Sequence, residues 1–285
     1  MTASLSIINP RTGQADYEIA PLGKRELAEL AKRMRAAQPA WAARPIAERG
    51  AVLERLAAAI QSHGDAIADA LIADTGRSGI SHIEVANIPQ MLSRWAKVGP
   101  PLLEHHSHTG FQTIHPTITT DLKLVPYPLV GVISPWNFPL ILALIDAIPA
   151  LMAGCAALIK PSEVTPRFIR PLMGAVAEIP ELADILQVVE GDGATGAALV
   201  PLVDFVAFTG SVSTGRTVGE AAARAFIPAS LELGGKDPMI ILASADPAQA
   251  AATALRASVV NSGQACQSIE RIYVAREIAD AFLAE

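Results

Sequence analysis

The chain has 285 residues, 51% hydrophobic and 18% charged, which is enough apolar material for a large core or for one domain and part of another. A net charge of -6 without a dense lysine or arginine block excludes a nucleic-acid footprint. Two cysteines far apart, Cys155 and Cys266, form no CxxC pair, so no disulfide framework is expected and a reducing cytoplasmic setting fits best.

The opening MTASLSIINPRTG lacks a basic start followed by an apolar run, so no secretory signal is read there. Lys24–Trp41 places Leu27, Leu30, Ala31 and Met34 at helical spacing. Ile46–Ile60 repeats the pattern with Val52, Leu53, Leu56 and Ile60 behind a first-turn Pro45. Further helices are predicted over Ala66–Asp74 and Ile83–Lys97. His105, His106 and His108 follow without a cysteine or a fixed ligand spacing; they read as a solvated loop, and no metal is expected. Thr113–Pro128, rich in β-branched residues and prolines, suits an edge β-ribbon.

From Leu129 onward, short apolar runs alternate with helical stretches. VGVIS, CAALIK, ILQVVE, DFVAFTG, ASLELGG and MIILA read as buried strands, and the rhythm predicts βαβ units: an α/β fold whose parallel sheet carries helices on both faces. The apolar stretch 140–159 is long enough to cross a membrane. Asp146 and Pro149 within it argue instead for a buried helix running into a strand, so no membrane partner is expected.

Four clusters sit at predicted strand ends, where doubly wound sheets hold ligands. In Pro135-Trp136-Asn137-Phe138-Pro139, two prolines fix the backbone around one amide that could donate to a developing oxyanion; a rigid turn explains the same letters. Lys160-Pro161-Ser162-Glu163 offers a cation and a carboxylate to two ribose hydroxyls, or forms a solvated ion pair. Thr209-Gly210-Ser211 leads a small hydroxylated turn into a helix and offers N–H groups to a pyrophosphate. Nearby, Gly191, Gly193 and Gly196 lie close to a dinucleotide fingerprint, a weak signal on its own. The fourth cluster pairs Leu231–Lys236 with Asn261–Cys266. Glu232 lies in an apolar segment, where burial would raise its pKa toward that of a base, and Cys266 follows a Gly-Gln turn able to present a thiolate. Cys155, in MAGCAAL, reads as a small buried hydrophobe.

The segments PWNFP, KPSE, FTGSxxxG, LELGGK and NxGQxC occur in this order, and together they resemble the aldehyde dehydrogenase superfamily from Asn9 to Val274. The resemblance implies a Rossmann-like cofactor domain, with residues 1–112 as its helical part, a β-ribbon oligomerisation arm at 113–128, and the dinucleotide-binding core at 129–236. Residues 237–285 would begin a second α/β catalytic domain. It further implies Cys266 as the nucleophile on a small-molecule aldehyde, Asn137 as oxyanion donor and Glu232 as the base that activates water, acting through a thiohemiacetal and a thioester. Lys160 and Glu163 would bind the adenosine ribose. The Glu163 carboxylate favours NAD, with NADP possible. Ser211 and Trp136 would contact the pyrophosphate and nicotinamide regions, Thr209 and Gly210 would shape the turn beside the ring, and Gly193 belongs to the same cofactor set.

Members of that family are longer and carry an E-x-F-G-P segment that this sequence lacks, so the chain reads as C-terminally truncated and as a homo-oligomer in its full-length form. Two other readings compete. One is a catalytically incompetent fragment that binds a full-length partner through its ribbon. The other is an acylating dehydrogenase, against which Glu232 counts because a water-activating base would waste the thioester.

Overall fold

The computed structural model describes residues 4–285; the first three residues of the opening read for a leader lie outside it. An antiparallel hairpin comes first, β1 (Leu5–Ile8) with β2 (Ala15–Ile19). Four helices follow: α1 (Lys24–Ala42), α2 (Ile46–Ser62), α3 (Gly64–Thr75) and α4 (Ser78–His105). The apolar stripes of α1 and α2 are buried at the spacing the sequence gives them, and they join one continuous core. At the end of α3, Gly76 adopts a left-handed conformation (φ 69°) that stops the helix and turns the chain into Arg77 and α4. The sequence predicts an end to α4 at Lys97, yet the helix continues through Pro100 and Pro101 to His105. Packing on the helical segment 147–153 overrides propensity there: Gly99 lies so close to Met152 that a Cβ would stand 2.5 Å from Met152 Cγ.

The ribbon also departs from expectation. Its strands are β3 (His108–Gln112) and β4 (Thr119–Leu122), so the hairpin begins before residue 113, and 113–118 is its turn. His105 therefore closes a helix, and His108 pairs with Leu122 rather than lying in a loop. The polar run HTGFQ carries no alternation that would announce a strand, and backbone pairing alone defines it.

The main sheet is built from β5 (Leu129–Ile133), β6 (Ala156–Lys160), β7 (Leu186–Val188), β8 (Phe205–Gly210) and β9 (Ala229–Leu233). Between them run α5 (Pro139–Leu144), α6 (Ala147–Ala153), α7 (Ile169–Ala177), α8 (Gly193–Leu199) and α9 (Val212–Ala225). The stretch 140–159 thus divides into α5, α6 and β6, and no helix among the described residues is long and apolar enough to cross a membrane. Every pairing in the sheet is parallel, and the spatial order is β7-β6-β5-β8-β9. All residues of β5 and β6 are buried, as expected of strands covered on both faces. Gly131 at the centre of β5 lets the end of α8 approach, since a Cβ there would stand 2.5 Å from Leu199 Cδ2.

The chain winds outward from β5 through β6 to β7, then returns to the other side of β5 and continues to β9. The strand order therefore reverses between β5 and β8, and a crevice opens at their carboxyl ends, the position where such sheets bind ligands. Beyond the sheet, β10 (Asp237–Ile241) pairs in parallel with β11 (Ile269–Val274); α10 (Pro247–Val259) connects them and α11 (Ala279–Ala284) ends the chain.

Candidate active site

A cleft of about 370 Å³ occupies the crevice at the strand-order reversal. Ser134 and Trp136 reach it from β5, Lys160 and Glu163 from β6, Gly193 from the start of α8, and Thr209, Gly210 and Ser211 from the end of β8. Lys160 is 4% exposed and its Nζ lies 3.1 Å from Glu163 Oε2, while the Glu163 side chain is 41% exposed, so the lysine is withdrawn from solvent and its partner is not. Ser134 lines the same cleft with a buried hydroxyl that has no hydrogen-bond partner among the described residues. A buried hydroxyl without a partner is costly and marks a place where a polar ligand atom fits.

In the glycine run at 191–196, Asp192 caps α8 with its own carboxylate, accepting from Ala194 N (2.9 Å) and Thr195 N (3.1 Å), so these two N–H groups are already paired. Gly193 still lines the cleft. On the opposite side, Ser211 caps α9 by accepting from Thr214 N (3.2 Å).

A second cavity of about 290 Å³ adjoins the cleft and shares Trp136, Thr209, Gly210 and Ser211 with it. Asn137, Glu232 and Cys266 all line it. Residues more than a hundred positions apart therefore converge on one volume. Cys266 arrives there through a sharp reversal after α10, where Asn261 (φ 55°), Ser262 (φ 58°) and Gly263 (φ 74°) are all left-handed. That conformation is costly for residues with a Cβ and persists only where surrounding contacts hold it. The Asn137 side chain reaches across the cavity and donates from Nδ2 to Gln264 O (2.8 Å). Among the described residues, the Cys266 N–H makes no hydrogen bond.

Glu232 differs from expectation. It lies beside Thr209 in the sheet register, but on β9, the edge strand, and it is exposed rather than buried. The apolar letters around it describe an edge strand as well as an interior one, because hydrophobic pattern does not report how many neighbours a strand has. Asp146, at the start of α6, is a neighbouring carboxylate whose pKa is raised by burial first and by the charge of Glu232 second. Cys155 is buried in the core, and burial pushes its thiol up to about 11, which keeps it protonated at neutral pH.

Two residues behind the cavity escape the motif reading. Arg77 donates from Nη1 to Asn137 O (2.7 Å) and also to Asn261 Oδ1. Glu84 is wholly buried on α4 and accepts at Oε2 from Leu140 N (3.0 Å) and Ile141 N (3.2 Å), at the start of α5. The signal in the sequence was spacing: Glu84, Ile88 and Leu92 share one helical stripe, so a carboxylate stands where an apolar residue belongs. Among the described residues, no group of three or more His, Cys, Asp or Glu side chains could hold a metal.

A family model described as the aldehyde dehydrogenase family matches residues 2–285. The solved structure named "Putative Aldehyde Dehydrogenase PutA", from Anabaena variabilis, superposes with a TM-score of 0.95 at 49% identity, covering 99% of this chain and 60% of that one. Lactaldehyde dehydrogenase from Escherichia coli superposes at 0.92 with 30% identity, covering 100% of this chain and 60% of its own. A Mycolicibacterium smegmatis protein named "Putative succinate-semialdehyde dehydrogenase (NADP+)" is 39% identical over 268 residues, 93% of this chain and 52% of the relative. The chain belongs to the aldehyde dehydrogenase family. It spans about half the length of the curated relatives it matches.

Proposed function

We propose that this chain carries the nucleotide cleft and the thiol site of an enzyme that oxidises an aldehyde to its carboxylic acid. The observation behind this reading is the convergence of Cys266, Asn137 and Glu232 on one cavity that opens into the cleft through Trp136, Thr209, Gly210 and Ser211. In this proposal residues 129–236 form the dinucleotide-binding unit, and 237–285 bring Cys266 up to it.

The Cys266 thiolate attacks the aldehyde carbon, forming a thiohemiacetal. Its oxyanion takes hydrogen bonds from the second N–H of Asn137 Nδ2, whose first is held by Gln264 O, and from the Cys266 N–H, both residues lining the same cavity. Lys160, Glu163, Ser134, Trp136 and Ser211 line the cleft that would hold NAD, which when bound would accept the hydride whose loss leaves the adduct as a thioester. Glu232 then takes a proton from water, the hydroxide adds to the acyl carbon, and the carbon–sulfur bond breaks to release the acid and the Cys266 thiolate. Exposure of Glu232 on its edge strand gives it access to that water. The Glu163 carboxylate repels a 2′-phosphate and so favours NAD, without barring NADP. Exposed apolar residues on and beside the ribbon, Phe111, Ile114 and Val125, support its use as an arm between copies.

The test is a rapid-mixing assay of the 285-residue chain with NAD and a panel of aliphatic and aromatic aldehydes. A burst of NADH that disappears in Cys266→Ala is expected. A folded chain that binds NAD but gives no NADH would transfer the reading to a module that needs a partner for chemistry.

A further inference from the structure

The two loops that frame the thiol meet through side-chain amides and are tied further by a charged pair from the start of α4. Asn137 and Cys266 both line the cavity, one after β5 and the other after α10, and Asn137 Nδ2 donates to Gln264 O. The remaining polar links run through Asn261, in the Cys266 loop, and through Arg77, just before α4. Arg77 Nη1 donates to the backbone oxygen of Asn137 (2.7 Å) and to the side-chain oxygen of Asn261. Asn261 Nδ2 in turn donates to Asn137 O (3.1 Å) and Gln264 O (3.0 Å). The guanidinium also stacks near the Phe138 ring, 5.9 Å from its centroid. Glu84, two helical turns along α4, grips the far side of the same turn by accepting from Leu140 N and Ile141 N.

That placement is chemically specific. Phe138, the residue just before α5, offers no side-chain cap, so the first N–H groups of α5 would be unsatisfied without Glu84. Asn261 is left-handed, a conformation that asparagine tolerates and that aims its amide back at Asn137 and Gln264. Arg77 Nη2 and Glu84 Oε1 lie 4.0 Å apart, both buried and, among the described residues, both without a hydrogen-bond partner, so the pair is held by the two loops it serves rather than by a tight contact of its own. A buried charged pair with unsatisfied atoms is poor stabilisation by itself. Its value lies in fixing the position of what it touches.

We infer that Arg77, Glu84 and Asn261 are positioning residues that lock the Asn137 turn to the Cys266 loop and set the distance between oxyanion donor and nucleophile. The inference rests on the aldehyde-oxidising reading for its consequence but not for its geometry, and the experiment separates the two. Backbone amide exchange is followed in the wild-type chain and in Glu84→Ala, Glu84→Gln, Arg77→Lys and Asn261→Ala. Acylation of Cys266 by p-nitrophenyl acetate is measured alongside, because it forms the same oxyanion without a cofactor, and alkylation by iodoacetamide is measured because it forms none.

Glu84→Ala and Arg77→Lys are expected to speed exchange at residues 136–141 and also at 261–266. Acylation should slow on the order of tenfold to a hundredfold, the scale of a misplaced catalytic group, while alkylation changes by less than about twofold. Glu84→Gln keeps an acceptor for Leu140 and Ile141 and should restore most of the rate. An Asn137→Ala background should remove the effect of Arg77→Lys on acylation. Exchange that rises only beside the substituted residue, or acylation and alkylation that fall together, would overturn the inference. A wild-type chain that shows the coupled exchange but acylates no faster than Cys266→Ala would leave the lock standing and overturn the catalytic reading.

Discussion

Replacing Glu84 with glutamine measures what burying that carboxylate costs. Burial raises its pKa from 4.5 to about 7, against the lowering effects of the Ile141 N–H, the Arg77 charge and the Leu140 N–H. A carboxyl whose pKa is raised by folding favours the folded state most when it is protonated. Its contribution is complete below the unfolded value near 4.5 and is lost as pH rises through about 7. The gap between those values corresponds to about 3 kcal/mol, and no solvent discount applies because the side chain is wholly buried. Glutamine still accepts from Leu140 and Ile141 but does not titrate. The assay is urea unfolding of both proteins from about pH 5 to about pH 8, read as the stability of Glu84→Gln minus that of wild type. Because part of the contribution is already lost at pH 5, that difference should rise over this window by about 2.5 kcal/mol. Asp74, whose pKa burial raises to about 6, titrates in the same sense in both proteins and cancels. A difference that stays flat, or falls with pH, would refute the claim that the Glu84 carboxylate is destabilised where it lies.

Three further substitutions test other parts of the site. Asn137→Ala removes the side-chain donor and should slow acylation of Cys266 by about a hundredfold to a thousandfold, with NAD binding measured by fluorescence titration left near wild type. Glu163→Gln removes the charge proposed to face the ribose and should shift the ratio of NADP to NAD affinity toward NADP by on the order of tenfold, or about 1.4 kcal/mol, in parallel titrations. An unchanged ratio would take Glu163 out of cofactor selection. Gly131→Ala forces a Cβ against Leu199 in the central strand and should cost about 1–3 kcal/mol in chemical denaturation, without moving the thiol chemistry.

The order of helices and strands is legible in the sequence because the buried stripes of α1 and α2 and the continuous apolar runs of β5 and β6 are local patterns. The cavity's three central residues are legible for a different reason. Asn137, Glu232 and Cys266 each stand in a short segment whose neighbours limit what the backbone can do: prolines around Asn137, glycines after Glu232 and before Cys266. What the sequence conceals is set by distant partners. Glu232 is exposed because β9 has no strand on its outer side, and no pattern within ASLELGG encodes that. The prolines at 100 and 101 predict a break that packing of α4 on Met152 prevents. Asp192 pairs with the N–H groups of Ala194 and Thr195, a local contact that the spacing of the glycines does not report. Arg77 and Glu84 act on residues about sixty positions away, and only the charge in an apolar stripe points to one of them.

The most direct measurement is mass spectrometry of the peptide that contains Cys266, after the chain is mixed with NAD and an aldehyde and quenched in acid. Glu232→Gln is run beside it to slow release of the acyl group. The mechanism predicts an acyl mass on Cys266 that accumulates in Glu232→Gln, requires NAD and is absent from Cys155. No acyl mass on Cys266 in a folded, NAD-binding chain, or the same mass formed without NAD, would contradict it.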